Sequence, residues 1–274
     1  MIISSRENPN VKMLSKLLSS KKARNESGLF VIEGMRSCVD AAMESTENNM
    51  RISALFYTEE AYENYKNSLP LHYFDLVDER KRFVISTELA DKISAEGSSQ
   101  GVFVIAEKLD KRLEEDLVSE KGKYLVLNHL QDPGNIGTLL RTADAVGVSG
   151  VVLTNNCCDI YNPKVVRSTM GSLARVEIFV ENDFSRVCEI FEKKGVDTLA
   201  AVVSGGTSVT GYDFSKPCAV VLGNEGNGLS AEDADMCKDK ITIRMNGHID
   251  SLNAAVAGAV ILWEMFREQV SGRE

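Results

Sequence analysis

Residues 220–230 read V-V-L-G-N-E-G-N-G-L-S: an apolar run broken by three glycines within six residues, then a helix-start signal. The run Cys218 to Leu222 has the composition of a strand buried on both faces, as in parallel sheets with helices on either side. Ser230, followed by Ala231, Glu232 and Asp233, predicts a capped helix, because a serine hydroxyl accepts from first-turn amides and acids favour that end. Working outward, the same texture recurs: strands at Tyr124 to Asn128, Val151 to Thr154, Val176 to Val180, Thr198 to Val203 and Ile241 to Met245. Between and after them lie helices at about Asn135 to Val146, after Pro163, at Phe184 to Lys194 and at Ser251 to Gln269. Apolar strands alternating with helices predict a doubly wound α/β domain over residues 123–274. Open sheets of this class bind ligands at the carboxyl ends of their strands, where the glycine loop falls.

Upstream, Val11, Leu14, Leu17 and Leu18 recur at helical spacing before Gly28. Strands at Leu29 to Glu33, Ile52 to Tyr57, Phe83 to Ser86 and Val102 to Ala106, with helical stretches at Met35 to Glu44 and near Glu60 to Asn67, make a smaller α/β domain of residues 1–107. Residues 108–122 are dominated by charge and read as a linker or exposed connecting helix.

The net charge of −9 argues against a polyanionic partner, but the charge is unevenly spread. Arg6, Lys12, Lys16, Lys21, Lys22 and Arg24 face a single acid, Glu7, within residues 1–24. That segment is either a phosphate-contacting arm or a solvated helix face. The six cysteines contain no C-x-x-C pair, and His72, His129 and His248 stand apart, so reduced thiols and no metal site are expected. Neither a secretory signal nor an apolar stretch long enough for a bilayer is read, which predicts a cytoplasmic protein.

Two further segments share the strand ends with the glycine loop. Asp132 to Ala143, D-P-G-N-I-G-T-L-L-R-T-A, turns at Pro133 and Gly134 into a helix that begins near Asn135, with Arg141 on an otherwise apolar face. Such an arginine is costly without an anionic partner, whether a salt bridge or a ligand. Ile241 to Trp263 carries a strand through Asn246 to Asp250 into S-L-N-A-A-V-A-G-A-V-I-L-W; Ser251 is the expected cap and Asn253 a first-turn residue. The small residues Ala254, Ala255, Ala257, Gly258 and Ala259 allow close helix packing, in the core or in a dimer. The glycine loop lacks the lysine and hydroxyl residue of a phosphate loop, and Glu225 would repel a phosphate. A cationic sulfonium ligand would tolerate that acid and favour exposed carbonyls.

In this order and spacing, N-x-G-x-x-x-R (Asn135 to Arg141), G-N-E-G-x-G-L (Gly223 to Leu229) and S-L-N (Ser251 to Asn253) resemble the SpoU-type, trefoil-knotted RNA ribose methyltransferases over about residues 123–267. The N-terminal half is similar to their ribosomal-protein-like substrate-binding domain, with F-x-x-E-G at Phe30 to Gly34. The resemblance implies a knotted sheet, a homodimer through the C-terminal domain, and an S-adenosylmethionine-dependent enzyme methylating a ribose 2′-hydroxyl, of ribosomal RNA before transfer RNA. The alternative is a non-catalytic RNA-binding protein of the same fold. It further implies that Val203, Leu222, Gly223, Asn224, Gly228, Ile243, Met245 and Leu252 grip the cofactor, and that Arg141, Asn135, Glu225, Ser251 and Asn253 occupy catalytic positions. Arg141 is the family's usual base, yet a guanidinium stays protonated, so stabilising the developing alkoxide is the other role open to it. One departure stands at Arg244, where the family often has proline between the residues matching Ile243 and Met245.

Overall fold

Leu29–Glu33 (β1), Ile52–Tyr57 (β2), Arg82–Val84 (β3) and Val102–Glu107 (β4) form a sheet in the order β1-β4-β2-β3, with β4 antiparallel to both neighbours and β3 parallel to β2. The computed structural model describes residues 2–47, 50–65, 75, 77–94, 97–154 and 156–271; the expected helical positions Lys66 and Asn67, and His72, lie outside them. Among the described residues the helices of this part are Pro9–Ser19 (α1), Lys21–Ser27 (α2), Met35–Glu47 (α3), Glu59–Tyr65 (α4) and Thr87–Ile93 (α5). The first amphipathic run is thus two helices. Asn8 caps α1 with Pro9 at its first position, while Ser20 closes α1 and its hydroxyl caps α2. Gly28 ends α2 at φ 68°, a left-handed conformation that glycine adopts without a Cβ penalty. Val11, Leu14 and Leu17 bury against Val31, Phe56, Phe103 and Ile105, each fully buried side chain contributing about 1.5–3 kcal/mol.

This compact unit comprises Met1–Leu109 together with Asp159–Arg175. The second segment was expected in the C-terminal domain, but its apolar residues choose the first core: Tyr161 packs its ring 4.7 Å from that of Phe30, and Val165 and Val166 are buried. Arg24, expected among the RNA contacts, is a correction. It is 3% exposed, pairs with Asp159 at 2.7 Å and donates to the Leu17 carbonyl at 2.6 Å, so its charge is spent inside the unit.

The other unit is Asp110–Cys158 with Val176–Glu274. Its strands are Lys111–Arg112 (β5), Lys123–Leu127 (β6), Gly150–Leu153 (β7), Ile178–Val180 (β8), Asp197–Ala201 (β9), Thr207–Ser208 (β10), Cys218–Leu222 (β11) and Asp239–Thr242 (β12). They form a parallel sheet in the order β10-β12-β9-β11-β6-β7-β8-β5. Every residue of β7 and β11 is buried, and because successive side chains point to opposite faces, both faces are covered. The helices, continuing in chain order, are Pro133–Val146 (α6), Pro163–Ser168 (α7, in the first unit), Phe184–Lys193 (α8), Ala231–Met236 (α9) and Ala254–Ser271 (α10). One core joins Tyr124, Phe179, Val187, Phe191 and Val221, with the Tyr124 and Phe191 rings 5.0 Å apart.

Within residues 108–122, expected as a linker, the boundary between the units falls after Leu109, and the remainder belongs to the second unit: β5 extends the sheet edge, and Leu113 and Val118 are buried in this core among the charged residues. The β5 ladder and two buried apolar side chains dock a segment that composition alone marks as solvated.

Candidate functional site

Each of the three motifs follows a strand of the parallel sheet and lies beside a helix cap. After β6, Asp132 caps α6 by accepting from the Asn135 amide at 2.8 Å, with Pro133 at the first helical position; the helix starts two residues before the expected Asn135 because proline is pre-shaped for that place. After β11, the glycine loop closes on itself, the Asn224 amide donating to Gly228 O at 3.0 Å and the Gly228 amide to Asn224 O at 2.8 Å. Gly223 cannot be replaced without rearrangement, since a Cβ there would lie 2.3 Å from the Gly228 carbonyl carbon. Gly228 takes φ +66°. Ser230 caps α9 as expected, accepting from the Asp233 amide at 2.9 Å.

After β12 the expectation is corrected. Asn253, not Ser251, caps the last helix, its Oδ1 accepting from the amides of Ala255 and Val256 at 2.9 and 3.3 Å. Ser251 remains exposed at the cleft described below. Gly258 explains the run of small residues: a Cβ there would meet Leu139 and Leu222 at 2.3 and 2.6 Å, so α10 lies closely on α6 and the end of β11.

Glu225 binds the motifs together. Its Oε1 accepts from the Asp132 amide at 2.7 Å and the Asn135 side-chain amide at 3.2 Å, and its Oε2 from the Gln131 amide at 3.1 Å. Partial burial would raise its pKa, but the amides of Asp132, its own residue and Gln131, with the Asn135 side chain, outweigh that and hold it below the ordinary glutamate value. Asn135, buried, then accepts at Oδ1 from the Asn253 side-chain amide at 3.0 Å. Glycine loop, α6 entrance and α10 cap therefore form one hydrogen-bonded series. The Asn224 side-chain amide also donates to the carbonyl of His129 at 3.1 Å, a histidine held at φ 61°.

A cleft of about 230 Å³ opens beside this series. Val203, Leu222, Gly223, Asn224, Gly228, Ile243, Met245 and Leu252, all read from the sequence as cofactor contacts, line it, together with Glu225 and Ser251. Asp250, Asn227, Ala257 and Ile261 line it too and were missed; Ala257 and Ile261 read as helix core, and nothing in the sequence separates a cleft wall from a core face. Among the described residues the lining holds two acids, Glu225 and Asp250, and no lysine, arginine or histidine. Among the described residues no cluster of three or more histidine, cysteine or acidic side chains could hold a metal ion.

Arg141 departs from expectation in two respects. Six residues after Asn135 at about 100° per residue carry it well round α6. Asn135 is buried while Arg141 is exposed beside exposed Thr138, so it does not sit on an apolar face. It makes no hydrogen bond or ion pair among the described residues and is absent from this chain's cleft lining. Of the basic arm, Arg6, Lys12, Lys16, Lys21 and Lys22 are exposed; Lys12 reaches Glu7 and Lys22 reaches Glu26.

The SpoU rRNA Methylase family matches residues 122–263, and the MRM3-like substrate binding domain matches residues 8–104. An uncharacterized tRNA/rRNA methyltransferase of Synechocystis is 30% identical over 97% of this chain and 94% of its own length. The 23S rRNA (guanosine(2553)-2′-O)-methyltransferase RlmP of Bacillus subtilis is 27% identical over 96% and 98%. The crystal structure of an AdoMet-bound rRNA methyltransferase from Sinorhizobium meliloti superposes with a TM-score of 0.83 at 28% identity, covering 98% of each chain.

Proposed function

The chain belongs to the SpoU rRNA methylase family, and we propose that it transfers a methyl group from S-adenosylmethionine to a ribose 2′-hydroxyl of ribosomal RNA. The cleft carries this reading. It has apolar walls for an adenosine, backbone groups of the glycine loop for its polar edges, and two acids with no basic group, a donor set that suits a sulfonium cation and refuses a nucleotide phosphate. When bound, the cofactor supplies an electrophilic methyl group. Leu222, Gly223, Ile243, Met245 and Leu252 would hold it.

The protein's own work is to align the ribose oxygen and accommodate its loss of a proton. Glu225 is fully engaged with amides, so its role is to fix the glycine loop and the α6 entrance rather than to take that proton. Asn135 and Asn253 position the same entrance. Arg141, exposed and without a partner among the described residues, supplies the positive charge for the developing alkoxide and an adjacent phosphate. Ser251 lies on the cleft where the ribose would enter.

RNA is bound by the first unit through Arg6, Lys12, Lys16, Lys21 and Lys22. Two copies associate through α10, whose Val256, Val260 and Trp263 form an exposed apolar stripe, 49%, 42% and 54% accessible, at helical spacing. The path is knotted on this reading: β12 follows β9 and β10 in sequence yet lies between them, and α10 packs on α6, as a threaded C-terminus requires. The enzyme acts in the cytoplasm. Mapping of ribose methylation in RNA from cells with and without the gene tests the substrate. A single 2′-O-methyl site lost from ribosomal RNA is expected; a site lost from transfer RNA instead would overturn the ribosomal assignment, and no lost site would overturn the activity.

A further inference from the structure

A second pocket, of about 290 Å³, lies within the first unit, where the end of β1, the start of α3, the loop before β4 and the segment after α7 meet. Its walls include Glu33, Arg36, Gln100, Arg167 and Met170. We propose that this pocket holds one unpaired base of the RNA substrate, guanine in preference to the others. The inference rests on RNA being the substrate and adds where, and by which base, the first unit reads it.

Glu33 is the first observation. Its Oε1 accepts from the Ser94 hydroxyl at 2.5 Å, whereas Oε2 is buried with no hydrogen-bond partner among the described residues. A buried carboxylate oxygen without a donor is costly, and native structures rarely retain one without a use for it. The missing partner is an N–H group; an anion is refused by the same oxygen. Gln100 is the second. Its Oε1 accepts from the Met35 amide at 2.9 Å, which leaves its NH₂ to donate. Glu33 and Gln100 both line the pocket, and with the Glu33 carboxylate turned into it this acceptor and donor complement the Watson–Crick edge of guanine, whose N1–H and 2-amino group face a carboxylate while O6 faces an amide. Adenine offers one amino group and no carbonyl, and the two carbonyls that flank the uracil N3–H would meet the carboxylate.

The remaining features fit a splayed nucleotide. Single-stranded RNA is recognised through extruded bases held on their edges and faces. Met170, 43% exposed, stands at φ 52°, a left-handed conformation unusual for a residue with a side chain, and lines the pocket with a flexible thioether against which a base face can rest. Arg36 is exposed and makes no ion pair among the described residues, available to a flanking phosphate. Gly34 keeps the entrance shape, because φ +99° suits glycine and a Cβ there would press on Gln100 Oε1 at 3.2 Å. Glu33 and Gly34 are the last two residues of F-x-x-E-G, a stretch that the cofactor cleft leaves without a task.

The test is fluorescence anisotropy of the full chain with labelled pentanucleotides UUGUU, UUIUU and UUAUU, where inosine lacks the 2-amino group. The guanosine oligomer should bind roughly tenfold more tightly than the adenosine one, with inosine between. Glu33→Gln should erase that ranking. Gln100→Glu, which retains the acceptor for the Met35 amide, should erase it too and covers the case in which the first variant does not fold. Arg36→Ala should weaken all three oligomers alike. Met170→Gly should weaken all three while raising the melting temperature, because relief of backbone strain and loss of a binding surface have opposite signs. Equal binding of the three by the wild-type chain, or an intact ranking in folded Glu33→Gln, overturns the proposal. Calorimetry with S-adenosylmethionine on the same proteins separates the two readings: unchanged cofactor binding is expected throughout, and its absence from the wild-type chain would count against the enzyme reading while the base ranking still judged the pocket.

Discussion

The side-chain amide of Asn253 donates to the side-chain carbonyl of Asn135 across 3.0 Å, joining residues 118 positions apart in the chain. The bond ties the cap of the last helix to the entrance of α6, and through Asn135 to Glu225. Asn253 thus has two duties, capping through Oδ1 and donating through Nδ2, and they can be separated. Asn253→Asp retains a capping oxygen but cannot donate; thermal stability should change little, while methyl transfer falls at least roughly tenfold. Asn253→Ala should lose both, costing in addition about 1 kcal/mol of stability. Denaturant titration beside single-turnover methylation distinguishes the two, and equal stability loss in both variants would refute the division.

Glu225 predicts an acid limit. Its folded pKa lies below the ordinary glutamate value of about 4.3, so the stabilisation it gives the loop is fully present above that value and is lost as pH falls through the lower, folded one. Cofactor affinity should therefore be insensitive to Glu225 between about pH 5 and 8 and decline only in strong acid. In Glu225→Gln the affinity should be lower at neutral pH and that component of the acid decline should vanish. Calorimetry across a pH series on both proteins reads the difference.

Arg141 makes no internal hydrogen bond or ion pair among the described residues, so replacing it should leave fold and cofactor affinity unchanged. Methyl transfer in Arg141→Ala should drop at least roughly a hundredfold. Arg141→Lys discriminates mechanism: a planar fork holding ribose and phosphate together is not replaced by a point charge, whereas simple positive potential is. Near-normal turnover in the alanine variant, at saturating RNA, would remove Arg141 from the site.

The basic N-terminal residues should divide by burial. Alanine at Lys16, Lys21 and Lys22 together should leave the melting temperature near that of the parent and flatten the dependence of RNA affinity on salt by about three phosphate contacts at most. Arg24→Ala should instead destabilise the protein by about 3–5 kcal/mol, because it removes the cation that neutralises the Asp159 carboxylate, 8% exposed. If Arg24→Ala were as stable as the lysine variant and lost RNA affinity, Arg24 would be an RNA contact after all.

Trp263→Glu, in the exposed stripe of α10, should convert a dimer into monomers in analytical ultracentrifugation at micromolar concentration. A parent protein that sediments as a monomer would exclude α10 as a dimer face.

Local chemistry determined much of this protein before any fold was seen. β1, β2 and β11 fall where their apolar runs end, Ser230 caps its helix, and the glycine loop and S-L-N segment meet at one cleft, because strand burial, capping and glycine backbone freedom are properties of a few neighbouring residues. Tertiary packing decided the rest. Arg24 and Lys22 look alike in sequence, and only the approach of Asp159 from the far side of the chain buries one and leaves the other in water. Residues 159–175 joined the first unit because Tyr161 found Phe30 there, a choice between two apolar cores that no local pattern encodes. Likewise Asn253 displaced Ser251 as the helix cap: either side chain can accept from a helix amide, and the chain's path from β12 onto α6 selected the one that also reaches Asn135.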